Sequence, residues 1–204
     1  MAKVKLTKNE LKHQKDALKM YERYLPTLQL KKQQLQVEIR DVESRLDSLR
    51  AAKESLERDF ESWIAVFSEE EKARTADSLP ILKVTALRTA LGNIAGVSIP
   101  IFDGADFDFQ DYDYFSTPLW VDRALKLMQS TLLLDLERTV VNEQLRLLGR
   151  ELRTTTQRVN LFEKVKIPET QNNLKRIRIY LGDQQTAQVV RGKIAKKKVE
   201  ESSR

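Results

Sequence analysis

The sequence contains no cysteine, one histidine, six glycines and five prolines, and aromatic residues make up only 7% of it. Without cysteine there is no disulfide, no thiolate metal site and no thiol nucleophile. Glycine and proline stand at roughly half their usual share, which leaves little material for turns, so the elements must be long. Leucine leads a hydrophobic content of 41%, a composition that suits helix seams and argues against a β-rich fold. No run of about 18 apolar residues occurs, so a soluble or peripheral protein without direct membrane insertion is expected.

The motifs of common chemistries are missing as well. There is no Gly-rich phosphate loop ending in Lys-Ser or Lys-Thr, no His-Glu pair with zinc spacing and no Gly-x-Ser-x-Gly elbow. His13 lies between Lys12 and Gln14 in a charged stretch, and the acids Glu69, Glu70 and Glu71 have no enclosing pocket to separate their pKa values. The expectation is a chain that is not an enzyme and carries no cofactor and no metal.

What the sequence does contain is a seven-residue beat. Leu11, Leu18, Leu25, Ile39, Leu46, Phe60 and Phe67 occupy one heptad position, with Lys32 and Lys53 interrupting the row. Tyr21, Leu28, Leu35, Val42, Leu49, Leu56 and Trp63 occupy a second position three residues later. A second periodic segment follows Pro118, where Ser116 and Thr117 can cap a helix. It runs through Val121, Leu125, Met128, Leu132, Leu136, Val140, Leu145, Leu148, Leu152, Val159, Phe162, Leu174, Ile177 and Leu181, and its beat changes phase at least twice.

Helices over 8–75 and 118–197 would be roughly 100 and 120 Å long, too long to bury inside a globule, so each needs the other as its partner. The expected fold is all-α: a long antiparallel two-helix coiled-coil hairpin with a small connector region. The expected divisions are 1–75 for the first helix, 76–117 for a connector with a short helix and a β-hairpin, and 118–204 for the second helix and a basic tail. A parallel homodimeric coiled coil is the competing architecture. In the antiparallel pairing Pro26 falls opposite residue 167, beside Pro168. Both prolines remove a backbone donor and crowd the preceding turn, so a shared bend is expected there; the alternative is that Pro168 ends one helix and starts another.

Charge is polarised along this hairpin. Between Arg88 and Arg123 there is no Lys or Arg, and six aspartates give this connector −6 against +6 for the whole chain, leaving +12 elsewhere. Residues 1–24 hold seven basic and three acidic side chains, and residues 174–204 nine and three. The terminal run Arg191-Gly192-Lys193-Ile194-Ala195-Lys196-Lys197-Lys198 has three readings: a solvated tail, insertion into an acidic protein cavity, or nucleic-acid binding. The last lacks interleaved aromatics and any binding motif, so no nucleic-acid partner is expected.

In the connector, Val97 to Phe102 is followed by Asp103-Gly104 and then by Phe107 and Phe109 alternating with aspartates. This pattern predicts a β-hairpin turning at Asp103-Gly104. Phe102, Phe107 and Phe109 are candidates for a docking surface, or else cap the end of the helical core. The aspartates do not follow the EF-hand calcium pattern.

Four stretches carry a resemblance: Lys5-Leu6-Thr7-Lys8-Asn9-Glu10-Leu11, Arg23-Tyr24-Leu25-Pro26-Thr27-Leu28-Gln29-Leu30-Lys31, Asn93-Ile94-Ala95-Gly96-Val97, and Asn173 to Gln185 with the sequence NLKRIRIYLGDQQ. With the Arg191 to Lys198 tail they resemble, in order and over nearly the whole chain, the D subunit of V-type and archaeal-type rotary ATPases; residues 102–122 follow that family poorly. The resemblance implies a central-stalk rotor shaft in a motor coupling ATP hydrolysis or synthesis to proton or sodium movement. The open end of the hairpin would sit inside a ring of A and B subunits, with a small F subunit beside the coil and the far end on a subunit that docks on the membrane rotor. The location would be cytoplasmic and peripheral to the membrane, with nucleotide and ion sites on the partners.

Under that resemblance, Lys8, Lys12, Lys15, Arg176, Arg178, Arg191 and Lys193 are the candidates for ring contact, and a bend at Pro26 and Pro168 would let rotation change which ring subunit is pressed. Gly182 and Gly192 either allow close approach of a neighbouring helix or loosen the helix end. A coiled-coil scaffold or chaperone-like client-binding hairpin is the alternative class. The gamma subunit of F-type ATP synthases is a nearer variant, but its large α/β domain has no room in a connector of about 40 residues.

Overall fold

The computed structural model describes residues 4–61, 82–111 and 121–202. The expected seam positions Trp63 and Phe67, the acids Glu69 to Glu71, the short connector helix and the helix start at Ser116, Thr117 and Pro118 lie outside these residues. The fold is all-α with a small two-stranded antiparallel sheet in the connector. Among the described residues no helix is long and apolar enough to cross a membrane.

The first helix, α1 (Lys8–Glu61), begins where Thr7 supplies its cap. The Thr7 hydroxyl accepts the Glu10 N–H at 3.3 Å, and the Leu11 N–H donates to the Thr7 carbonyl at 3.0 Å. Thr7 and Glu10 have capping-box spacing, and Leu6 and Leu11 stand where a hydrophobic staple places its two residues. Between Leu11 and Phe60, every position of the two heptad rows is buried or half-buried, Lys32 and Lys53 included. Pro26 sits exposed inside α1, and the helix continues through it without a break. Just beyond, the Thr27 hydroxyl donates to the Tyr24 carbonyl at 2.8 Å, adding a polar contact on the turn that proline leaves one donor short.

The chain forms two compact units. In the unit spanning Gln33–Arg153, α1 runs antiparallel to α2 (Val121–Asn160). Leu35, Val42, Leu46 and Leu49 of α1 close a core with Val141 and Leu148 of α2 and with Ile99 of the sheet. Removing these side chains from water is the main force holding the unit together, at about 1.5–3 kcal/mol per fully buried aliphatic side chain. Two ion pairs cross the same interface, Arg45 to Glu137 at 2.6 Å and Lys53 to Asp135 at 2.8 Å.

The sheet pairs β1 (Leu82–Ile94) with β2 (Val97–Phe109). Its turn is at Ala95-Gly96, which corrects the expected turn at Asp103-Gly104. Ala95 and Gly96 have φ of 51° and 78°, and the Asn93 side-chain oxygen accepts the Gly96 N–H at 3.0 Å. Two consecutive positive-φ residues match the twist of a hairpin, and glycine at the second enters that region without steric cost. Asp103 is instead an extra residue within β2, where the register shifts between Arg88 and Thr89. Gly104 beside it has φ 136°, and a Cβ there would meet the Arg88 guanidinium at 2.9 Å. A second shift, on β1 between Val84 and Ala86, compensates the first, so both ends of the hairpin keep one register. The buried Gln144 of α2 donates its amide to the Pro100 carbonyl, which fastens the sheet to the helices.

The other unit comprises Met1–Lys32 and Thr154–Arg204. Here α2 ends at Asn160, a π turn occupies Leu161–Lys166, and α3 (Ile167–Ser202) follows directly. The inward stripe runs through Thr155, Val159, Phe162, Lys166, Thr170, Leu174, Ile177 and Leu181, all buried or half-buried. Tyr21 of α1 meets Phe162 with ring centroids 5.2 Å apart.

Candidate functional site

Four basic residues, three near the start of the chain and one on α3, share a groove in the second unit. Lys8, Leu11, Lys12 and Lys15 recur at helical spacing on one side of α1, starting from the first residue after the Thr7 cap. Arg178, Leu181, Gly182 and Gln185 recur in the same way on α3. These eight residues line one shallow groove of about 480 Å³. Leu11 and Leu181 are half-buried and form its apolar floor, while Lys8, Lys12, Lys15 and Arg178 stand exposed around it. Arg178 also borders an adjoining groove of about 420 Å³ with Leu18, Gln171, Leu174, Lys175 and Ile179.

Of the seven cationic candidates, the structure therefore brings four into one groove. Arg176, Arg191 and Lys193 are exposed elsewhere on α3. Among the described residues none of the seven makes an ion pair, in contrast to Lys196 and Lys197, which face Glu200 and Glu201 at 3.7 Å each. The segment Arg191 to Lys198 is helical as part of α3. A Cβ on Gly182 or Gly192 would meet nothing within 4 Å among the described residues, so neither glycine marks a close helix approach within them. At Gly182 the missing side chain leaves the groove wall open. Four exposed cations over an apolar floor are chemically able to pair with carboxylates.

The profile of the ATP synthase D-subunit family matches residues 10–197. The chain belongs to that family. The D subunit of a V-type ATP synthase from Borreliella burgdorferi is 49% identical over 196 residues, covering 96% of this chain and 95% of the relative. Proteins of the same description from Chlamydia caviae and Chlamydia muridarum are 33% and 32% identical, each covering 98% of this chain and 95% and 98% of the relatives.

The remaining candidates lie apart from the groove. Pro168 is the second residue of α3, immediately after the π turn, and Pro26 lies within α1. Phe102 and Phe107 are half-buried on β2, and Phe109 at its end is 48% exposed. Phe107 pairs with Val84 and Phe109 with Leu82, whereas Phe102 pairs with Thr89. The three rings differ in exposure, Phe109 being the most open of them. Leu91, 90% exposed on β1, is the most open large apolar side chain of the sheet.

Three contributors escaped sequence reasoning. Thr7 sets where the basic face of α1 begins, and its signal was present in the Thr7-x-x-Glu10 spacing. Asp135, the partner of Lys53, stands in a stretch whose phase drift hides which side faces α1. The π turn that aims α3 follows from the run Phe162, Lys166, Thr170, Leu174, three steps of four where the seam before it alternates threes and fours.

Proposed function

We propose that this chain is the non-catalytic rotor shaft of a V-type or archaeal-type ATPase, transmitting torque between a ring of A and B subunits and the membrane rotor. In that role it couples ATP hydrolysis or synthesis to proton or sodium transport, with a small F subunit beside it and a further subunit that docks on the membrane rotor at its far end. The location is cytoplasmic and peripheral to the membrane. The observation that carries this reading is the groove of Lys8, Lys12, Lys15 and Arg178, cationic and without ion pairs among the described residues, in a chain of the ATP synthase D-subunit family.

Individual exposed ion pairs contribute about 0–1 kcal/mol, so a ring of acidic side chains can exchange partners with these cations in turn and no single contact stalls rotation. Arg176, Arg191 and Lys193, exposed elsewhere on α3, are proposed as further ring contacts. A bend at Pro26 and Pro168 makes the rotor eccentric, so that turning it presses ring subunits one after another. Phe102, Phe107 and Phe109 are proposed to dock a neighbour at the connector.

The test is reversal of the groove charges, Lys8→Glu, Lys12→Glu, Lys15→Glu and Arg178→Glu together, in the assembled complex. The expected result is loss of ATP-coupled ion transport while the variant still purifies with the small F subunit. Unchanged transport refutes the ring-contact role. Co-purification with client proteins and no nucleotide-binding ring would favour a scaffold instead.

A further inference from the structure

The second helix contains one residue more than its seam requires. From Leu148 to Phe162 the inward positions advance by 4, 3, 4 and 3, and from Leu174 to Leu181 by 3 and 4; between them Phe162, Lys166, Thr170 and Leu174 advance by 4, 4 and 4. An α-helix turns about 100° per residue, so three consecutive steps of four would swing the stripe about 120° away from α1. The π turn at Leu161–Lys166 absorbs this excess, with the Ile167 N–H reaching back five residues to the Phe162 carbonyl.

Three features make this turn a weak point with a fixed address. Its hydrogen-bond ladder is incomplete, because Pro168 has no N–H for the carbonyl behind it. Glu163, Lys164 and Val165 are exposed, so water competes for the carbonyls of that face. On the inward side there is room: a groove of about 430 Å³ runs beside Tyr21, Lys166, Glu169 and Thr170. The turn cannot migrate toward the C-terminus, since moving it past Pro168 would place the ring against the carbonyl four residues back in an α-helical interior. The Tyr21–Phe162 contact and the bond from the Thr170 hydroxyl to the Lys166 carbonyl, at 2.7 Å, hold its two edges.

We propose that residues 161–167 are a pinned hinge: a stored extra residue at which the second helix opens locally and lets α3 reorient against the last turn of α2, kept in place by Pro168. The hinge is a property of the chain itself, so its test is independent of the rotor reading. Amide hydrogen exchange on the full-length chain should show residues 163–167 exchanging about tenfold or more faster than 154–159 and 170–177. Pro168→Ala should spread the fast region toward the C-terminus. Deletion of Lys164 combined with Pro168→Ala should give an uninterrupted α-helix and slow the region to the rate of its flanks, with helicity checked by circular dichroism. Equal protection of 163–167 and its flanks in the unaltered chain overturns the proposal. So does a fast region that stays in place in Pro168→Ala, a variant that does not depend on the deletion folding.

Discussion

Lys53 of α1 points its ammonium at both carboxylate oxygens of Asp135 on α2, at 2.8 Å each. Lys53 occupies a seam position, where a leucine would serve a simple coiled coil better, and its side chain is only 24% exposed. A polar residue at one seam position fixes register at some cost in stability. Urea unfolding should therefore show Lys53→Ala destabilised by about 1 kcal/mol, with a coupling to Asp135→Ala in a double-mutant cycle. Lys53→Leu should be near neutral, since Asp135 keeps Arg138 within 3.9 Å.

Leu148 and Leu30 are the same residue type in opposite surroundings, one fully buried and the other 60% exposed. Leu148→Ala removes contacts with α1 and the sheet together, and should cost about 3 kcal/mol through transfer and cavity terms. Leu30→Ala should change stability by less than about 0.5 kcal/mol. Thermal or denaturant unfolding of the two variants side by side checks the assignment of the core.

The hairpin turn offers a contrast between two neighbouring loci. Gly96→Val places a β-branched residue at φ 78° and Asn93→Ala removes the acceptor for the Gly96 N–H. Each should loosen the sheet, read as faster amide exchange in 82–109 with the helices unchanged, Gly96→Val by about 1 kcal/mol or more. Asp103→Ala, at the extra residue of β2, should leave the turn intact.

The seam of α1 was legible because two rows of large apolar residues hold one heptad phase over many turns, and burial follows those rows. The hairpin existed in the sequence, yet its turn was misplaced. Asp-Gly is the stronger dipeptide signal, and the true turn is encoded jointly by Asn93, which satisfies the backbone, and Gly96, which takes the positive φ. The polarity of charge could be counted, but which cations share a groove depends on the cap at Thr7 and on the π turn. A one-residue excess of that kind shows only as a lengthened run of four-residue steps, easily read as drift. Lys53 looked like an interruption because its partner lies 82 residues away, and nothing local announces Asp135.

Glu143 and Arg146 on α2 are joined by two hydrogen bonds, from the guanidinium Nε at 2.7 Å and from Nη2 at 2.6 Å. These bonds hold the Glu143 carboxyl below the usual carboxylate range; slight desolvation opposes them and the guanidinium charge adds to them. In the unfolded chain the bonds are gone and the proton binds at higher pH. The contribution to stability is therefore fully present above the usual carboxylate range and is lost as pH falls through the lower, folded value. Arg146→Gln should flatten this part of the pH–stability profile, and high salt should shrink the difference because the pair is solvent-exposed. Thermal unfolding of both proteins from neutral to acid pH provides the measurement. A profile for Arg146→Gln that falls as steeply with acid as the unaltered chain would show that the pair has no part in it.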